Sequence, residues 1–313
     1  MEGRAQFKLG HLKIVDHLIM GIASHLLDQQ AFHLDNSSFE TVAFNAWDPV
    51  CDALCQGDIN GAFLPAPAAM DLFARGLDIC LIMLTHRSGS RIVRKNIATV
   101  KTIQDFRDRI VLIPHPLSVQ HMLLHRLMVS AGLDPGPGGS VGVETVPPYL
   151  MPAMLGHDED DDIAGFAVAE PYADQAMMEK TALPMCTTDH LWEGHPCCVF
   201  VMDRTTAQGS PKAMKKLVLL FLEAAQQLNT EQSRLHRIIS DFLDQDPHRV
   251  DSLLHRSRIS FDPGGLTPDI PALEIIRDYM SGAMGMLAPD IDLNRFVAPE
   301  FMPNLTLEAP IEN

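Results

Sequence analysis

A chain of 313 residues, 46% hydrophobic and 20% charged, is long enough to bury a substantial core, and its length suggests about two domains. Forty acidic residues against 24 basic ones leave a net charge of -16. That excludes a general nucleic-acid or anionic-membrane surface, because neutralising phosphates needs a basic face, though a small anion needs only a local field.

The first predicted strand, Phe7–Leu12, leads through Asp16-His17 into Leu18 to Leu27, where Ile19, Ile22, Ala23 and Leu26 recur at helical spacing. Ser24 and His25 interrupt that stretch, so it reads as an amphipathic helix and not as the apolar core of a signal peptide. No stretch reaches the roughly 18–20 apolar residues of a membrane span. The expectation is a cytoplasmic protein, or an exported one written without its leader.

Further strands are predicted at Glu40–Phe44, Gly61–Leu64, Ile79–Leu84, Ser90–Val93, Ile110–Ile113, Gly142–Val146, Gly165–Val168 and Val199–Met202. Helical periodicity lies between several of them, at Val50–Gln56, Pro67–Arg75, Val119–Ala131 and Tyr149–Leu155. Such alternation predicts an α/β protein with mostly parallel strands. From Pro211 onward the pattern is helical: Lys212–Leu228, Glu231–Leu243, Pro247–Arg256 and Ala272–Met284. The proline-rich tail after Pro299 reads as an extended wrap. Cys51, Cys55, Cys80, Cys186, Cys197 and Cys198 include no C-x-x-C pair and read as small buried hydrophobes. Trp47, just before a helix, reads as core. The acidic run His157 to Asp162 lacks the spacing of a calcium loop and reads as a solvated turn.

One internal echo organises the chain. Ile59-Asn60-Gly61-Ala62 leads to Pro67-Ala68-Ala69, and at a constant offset Ile163-Ala164-Gly165-Phe166 leads to Pro171-Tyr172-Ala173. Each is an acidic turn, a short strand, a proline loop and a helix. The same offset places His11 on His115 and His17 on His121. Two α/β units of one plan, facing each other, would form a cleft walled by strand ends and helix N-termini.

Several segments, in order, resemble the nitrate/taurine-type solute-binding proteins of bacterial ABC importers. They are Gly57-Asp58-Ile59-Asn60-Gly61-Ala62 with Pro65-Ala66-Pro67, Thr85 to Ser90, Thr102-Ile103-Gln104-Asp105-Phe106 up to Ile113, and Gly132-Leu133-Asp134-Pro135. Gly165 to Tyr172, Leu191-Trp192-Glu193-Gly194-His195-Pro196 and Ser210-Pro211-Lys212-Ala213 complete the series. The resemblance implies the type II periplasmic-binding-protein fold: two lobes, each a mixed sheet flanked by helices, with a hinge and a helical C-terminal segment. It places lobe one at 1–92 plus 205–313 and lobe two at 93–204, with hinge crossings at Val93–Lys95 and Met202–Thr205.

Candidate ligand contacts lie in the loops that such a cleft would gather. Asp16 reads as a helix cap or a contact, and His17 as a contact. Pro114 to His121 is a strand–proline loop–helix run in which His115 and His121 face the cleft and Ser118 is a cap whose hydroxyl could turn to ligand. Gln120 falls where the resemblance puts a ligand-contacting glutamine. Pro65 and Ala66 form the first lobe's proline loop, where nitrate-type members carry a tryptophan and this chain does not. Glu170, followed by Tyr172, could close the hinge, hold an amine or metal, or cap the next helix. His86, Ser88 and His195 complete a histidine-rich set able to hold an oxyanion when protonated or a metal when neutral.

The resulting expectation is a periplasmic, monomeric binding protein that captures one small anionic solute, such as a sulfonate, bicarbonate or a nitrate-like ion. It would deliver this solute to a membrane permease, with no cofactor, no nucleic acid and no catalysis. The alternatives are an enzyme resembling the thiamine-pyrimidine synthases and a cytoplasmic ligand sensor on the same fold.

Overall fold

The computed structural model describes residues 5–230 and 232–303. The strands are β1 (Ala5–Leu12), β2 (Ser37–Phe44), β3 (Gly61–Pro65), β4 (Ile79–Leu84), β5 (Ser90–Lys95), β6 (Ile110–Ile113), β7 (Gly142–Thr145), β8 (Ile163–Ala169), β9 (Ala182–Thr187) and β10 (Cys198–Asp203). The helices among and beyond them are α1 (Leu18–Asp28), α2 (Trp47–Gln56), α3 (Ala66–Ala74), α4 (Val119–Ser130), α5 (Met151–His157) and α6 (Tyr172–Met178). The helical return comprises α7 (Arg204–Gly209), α8 (Pro211–Thr230), α9 (Gln232–Leu243), α10 (Pro247–Ser257), α11 (Ile270–Gly282) and α12 (Leu293–Phe296). The expected start of α9, Glu231, and the tail beyond 303 lie outside the described residues. Residues 299–301 form a short 3₁₀ turn where an extended wrap was expected.

The strands form two five-stranded sheets, in the orders β2-β1-β3-β10-β4 and β7-β6-β8-β5-β9. The orders are the same plan used twice. In each, the first three strands pair in parallel, and an antiparallel strand is inserted fourth. The sheets are therefore mixed: four strands of each run one way, as the alternation suggests, and the inserted strand runs against them. The first sheet takes β1–β4 and then β10, whereas the second takes the consecutive β5–β9, so the chain crosses between the sheets twice.

Strand membership moves the boundaries drawn from sequence. All of β5 belongs to the second sheet and all of β10 to the first, so the crossings are residues 85–89 and 188–197. The expected crossing at Val93–Lys95 falls inside β5, and that at Met202–Thr205 spans the end of β10 and the start of α7.

Gly165 explains half of the echo. A Cβ there would stand 2.1 Å from the Val93 carbonyl oxygen of β5, so only glycine admits the inserted strand. At the equivalent Gly61 the nearest atoms are Leu9 Cδ2 at 2.7 Å and Val201 O of β10 at 3.0 Å. The second sheet buries both faces: Val111 and Ile113 pack with Leu124 and Met128 of α4, whereas Leu112 packs with Met151 and Leu155 of α5. Val119, Met122 and Leu123 at the start of α4 instead join the first lobe's core. The two lobes thus meet without a water layer at that point.

Candidate functional site

The crossings are tied to each other before they are tied to anything else. The Ser88 amide donates to the His195 carbonyl (2.9 Å), and its hydroxyl donates to Asp189 Oδ1 (2.6 Å). Thr188 Oγ1 donates to the Ser90 carbonyl, and Arg87 reaches Gly194 O, Gly265 O and Asp269. Ser88 therefore holds the crossings together, with φ of +57°. Its hydroxyl proton is engaged on Asp189.

Between the crossings lies a fully buried polar centre. Asp16, in a 3₁₀ turn after β1, does not cap α1, whose N-cap is His17. Its Oδ2 stands 3.3 Å from His86 Nε2 and 3.9 Å from Cys197 Sγ, while Oδ1 has no partner. Burial, and then the charge of Glu170, push its carboxyl up to about 8, while burial, and then His195, pull His86 down to about 3. Burial thus favours the uncharged form of each group and weakens this close contact as an ion pair.

His17 accepts the Leu12 amide proton at Nδ1 (3.0 Å), which fixes its tautomer and leaves Nε2–H as a buried donor without a partner. Trp47 and Phe63 hold the ring edge-on, with centroids at 5.3 and 5.4 Å. His195 is fixed the other way round: Nδ1 donates to the Trp192 carbonyl (2.7 Å), so Nε2 presents a lone pair. Gln120 enters from the second lobe. Its Nε2 donates to Ser90 Oγ (2.9 Å) and lies 3.4 Å from Cys197 Sγ, and its Oε1 is unpartnered. Thr85 Oγ1 and the His195 Nε2 lone pair are also buried without a partner.

The remaining candidates stand around this centre. Ser118 caps α4 by accepting from His121 N (3.1 Å) and donates to His115 O (2.8 Å), which engages its hydroxyl. His115 reaches across the lobes to Asp48 Oδ1 at 3.2 Å, and His121 donates from Nδ1 to Pro116 O. Glu170 Oε2 accepts from Asp174 N in the first turn of α6 (2.8 Å), its Oε1 meets Arg91 Nε at 3.2 Å, and its carbonyl accepts from Val15 N of the first lobe. Tyr172 lies at a half-buried rim with Leu12, Phe44 and Tyr149. Pro65 and Ala66 are buried, and the Ala66 N–H is bonded to Cys197 O.

Sequence reasoning read the two residues that complete the centre only as small buried hydrophobes. Cys197 and Cys198 are buried, as expected of small hydrophobes, but their sulfurs gather with Asp16 and His86 so that the four donor atoms lie within 4.8 Å of one another. Their adjacency directly after Trp192-Glu193-Gly194-His195-Pro196 was the available signal. Chemically, the centre offers uncharged hydrogen-bond donors (His17 Nε2–H, Thr85 O–H, protonated Asp16) beside nitrogen and sulfur lone pairs.

A model of the NMT1-like family matches residues 2–241. The nitrate import ATP-binding protein NrtC of Synechocystis is 28% identical over 206 residues, which cover 60% of this chain and 30% of that protein. The chain thus spans under a third of the length of that relative. The ligand-binding component of an ABC-type import system from Staphylococcus aureus, solved with zinc bound, superposes with a TM-score of 0.82 at 23% identity, covering 95% of this chain and 97% of that one. The periplasmic nitrate-binding protein NrtA of Synechocystis gives 0.81 at 18% identity, covering 95% and 87%. These likenesses establish the two-lobed periplasmic-binding-protein fold.

Proposed function

The chain belongs to the NMT1-like family, and from that premise we propose that it is the solute-binding component of an ABC importer, a binder and not a catalyst. One observation carries the reading. Polar atoms that a folded protein normally satisfies, on His17, Thr85, Gln120 and His195, are buried and unpartnered where two lobes meet. A small solute entering between open lobes would supply their partners on closure.

A small oxyanion suits the donors of this pocket. His17 Nε2–H and Thr85 O–H can donate to it without a fixed positive charge, so selectivity would come from geometry and desolvation. Nitrate binding by one fold relative and import-system membership of another support the anion and the permease partner. The reading includes a periplasmic monomer. No helix among the described residues is long and apolar enough to cross a membrane.

Calorimetric titration with nitrate, bicarbonate and ethanesulfonate tests it. One of the three should bind with one site per chain, and Gln120→Ala should weaken that binding by about 1–3 kcal/mol with little loss of apo stability. His17→Ala should weaken it too, but at a cost in stability, because Leu12 N–H loses its acceptor. Binding of none of the three, or an affinity indifferent to Gln120 and His17, would remove the anion from the proposal.

A further inference from the structure

We propose that Asp16, His86, Cys197 and Cys198 form a buried metal site for a zinc-class cation, on the floor of the cleft read above as the solute pocket. This inference stands whether or not an anion is captured above it.

The geometry is already close to a coordination shell. A tetrahedral zinc ion with bonds of about 2.0 Å to nitrogen and oxygen and about 2.3 Å to sulfur separates its ligand atoms by roughly 3.3–3.8 Å. His86 Nε2 and Asp16 Oδ2 stand 3.3 Å apart, and Asp16 Oδ2 and Cys197 Sγ 3.9 Å, with all four donors inside 4.8 Å. Small side-chain rotations would bring them onto one ion. The 3.3 Å nitrogen–oxygen contact has no hydrogen-bond geometry, which leaves both ring nitrogens of His86 and Oδ1 of Asp16 as buried, unpartnered atoms. A shared cation would give these atoms a common partner.

Donor chemistry selects the ion. Two thiolates, one imidazole and one carboxylate are a soft-to-borderline set that favours zinc, or copper(I), over magnesium and calcium, which require oxygen. The position sets the order of binding. All four residues come from the first lobe and the crossings: the turn after β1, the segment after β4 and the start of β10. The metal can therefore bind before the lobes close. No other group of three or more His, Cys, Asp and Glu donors converges in this way among the described residues.

The test uses the full chain, stripped with a chelator, and zinc or cobalt(II) alone. Zinc, in competition with a chromophoric chelator, should bind one equivalent at least a thousandfold tighter than calcium or magnesium. Cobalt(II) should give thiolate-to-metal charge-transfer bands with tetrahedral ligand-field bands. Cys197→Ser with Cys198→Ser should weaken zinc by at least a hundredfold and abolish the charge transfer, whereas Cys55→Ser should change neither. X-ray absorption on the unmutated zinc-loaded protein, which needs no variant to fold, should show two sulfurs at about 2.3 Å. A shell of oxygen and nitrogen only, or no tight zinc binding, overturns the proposal. With the anion titration run on chelator-stripped protein as well, failure of either reading is seen separately from the other.

Discussion

Gly165 shows at the scale of one residue why part of the echo could be read from sequence. A glycine fixed at the same place in two strands is a statement about backbone approach, and the 2.1 Å clearance to Val93 O is that statement in space. Gly165→Ala should therefore cost about 3 kcal/mol, as backbone must move. Gly61→Ala first meets the end of the flexible Leu9 side chain and should cost less. Urea unfolding of both variants checks the order, and equal losses would mean that the inserted strand does not set the requirement. The histidine half of the echo has no such basis. His11 stacks on Phe242 and His115 meets Asp48, while His17 is central and His121 is bonded to a local carbonyl. A residue type repeated at one offset, without backbone chemistry to fix it, did not translate into a shared role.

At the scale of elements, most strands were legible because alternation and turn residues bracket them, and Ser118 was legible as a cap because that role is local. Strand β9 was not foreseen. It lies at a sheet edge and contains Pro184, which argues against a strand anywhere except an edge, and the residue sits beside the register shift between Ile92 and Val93. The acidic run was likewise only half understood. Lys95 at the end of β5 reaches Asp158 Oδ2 and Asp161 Oδ1, both at 2.7 Å, and Asp158 also accepts from Ile163 N, so the turn is clamped onto the sheet. Burial opposes both shifts, but the Lys95 contact and the Ile163 N–H hold Asp158 below its usual 3.8, while the bonds to Asp158 and Asp161 hold Lys95 above its usual 10.5. The Asp158 contribution is thus present above pH 3.8 and lost as pH falls through the lower folded value. The Lys95 contribution is present below pH 10.5 and lost as pH rises through the higher folded value. Lys95→Met should cost about 2 kcal/mol. Its difference from the parent should be flat between about pH 5 and 9 and shrink in stronger acid. Melting curves across pH check this, and a difference unchanged down to about pH 2 would exclude the clamp.

At the scale of the whole molecule, the site was the least legible feature because its parts are far apart in sequence. Asp16, His86, Gln120 and Cys197 each have an ordinary local reading, and only the double crossing puts them in one buried volume. Since that volume is closed over unpartnered polar atoms, the lobes must part to fill it, breaking the Val15–Glu170 and His115–Asp48 contacts that join them. The chain's two tryptophans are placed to report this. Trp47 is 3% exposed in the first lobe's core, edge-on to His17 of the same lobe, so opening should leave it dry. Trp192 is half-buried on the return crossing, its ring centroid 6.1 Å from that of His195, and should gain water when the crossing bends. In a Trp47→Phe variant, emission from the stripped protein should lie to the red of that from protein saturated with whichever anion binds, and acrylamide should quench it more strongly. In a Trp192→Phe variant the wavelength should stay constant between the two states. A constant wavelength in both variants, with an unchanged radius of gyration by small-angle scattering, would mean that the lobes do not open and that the ligand reaches the centre by another route.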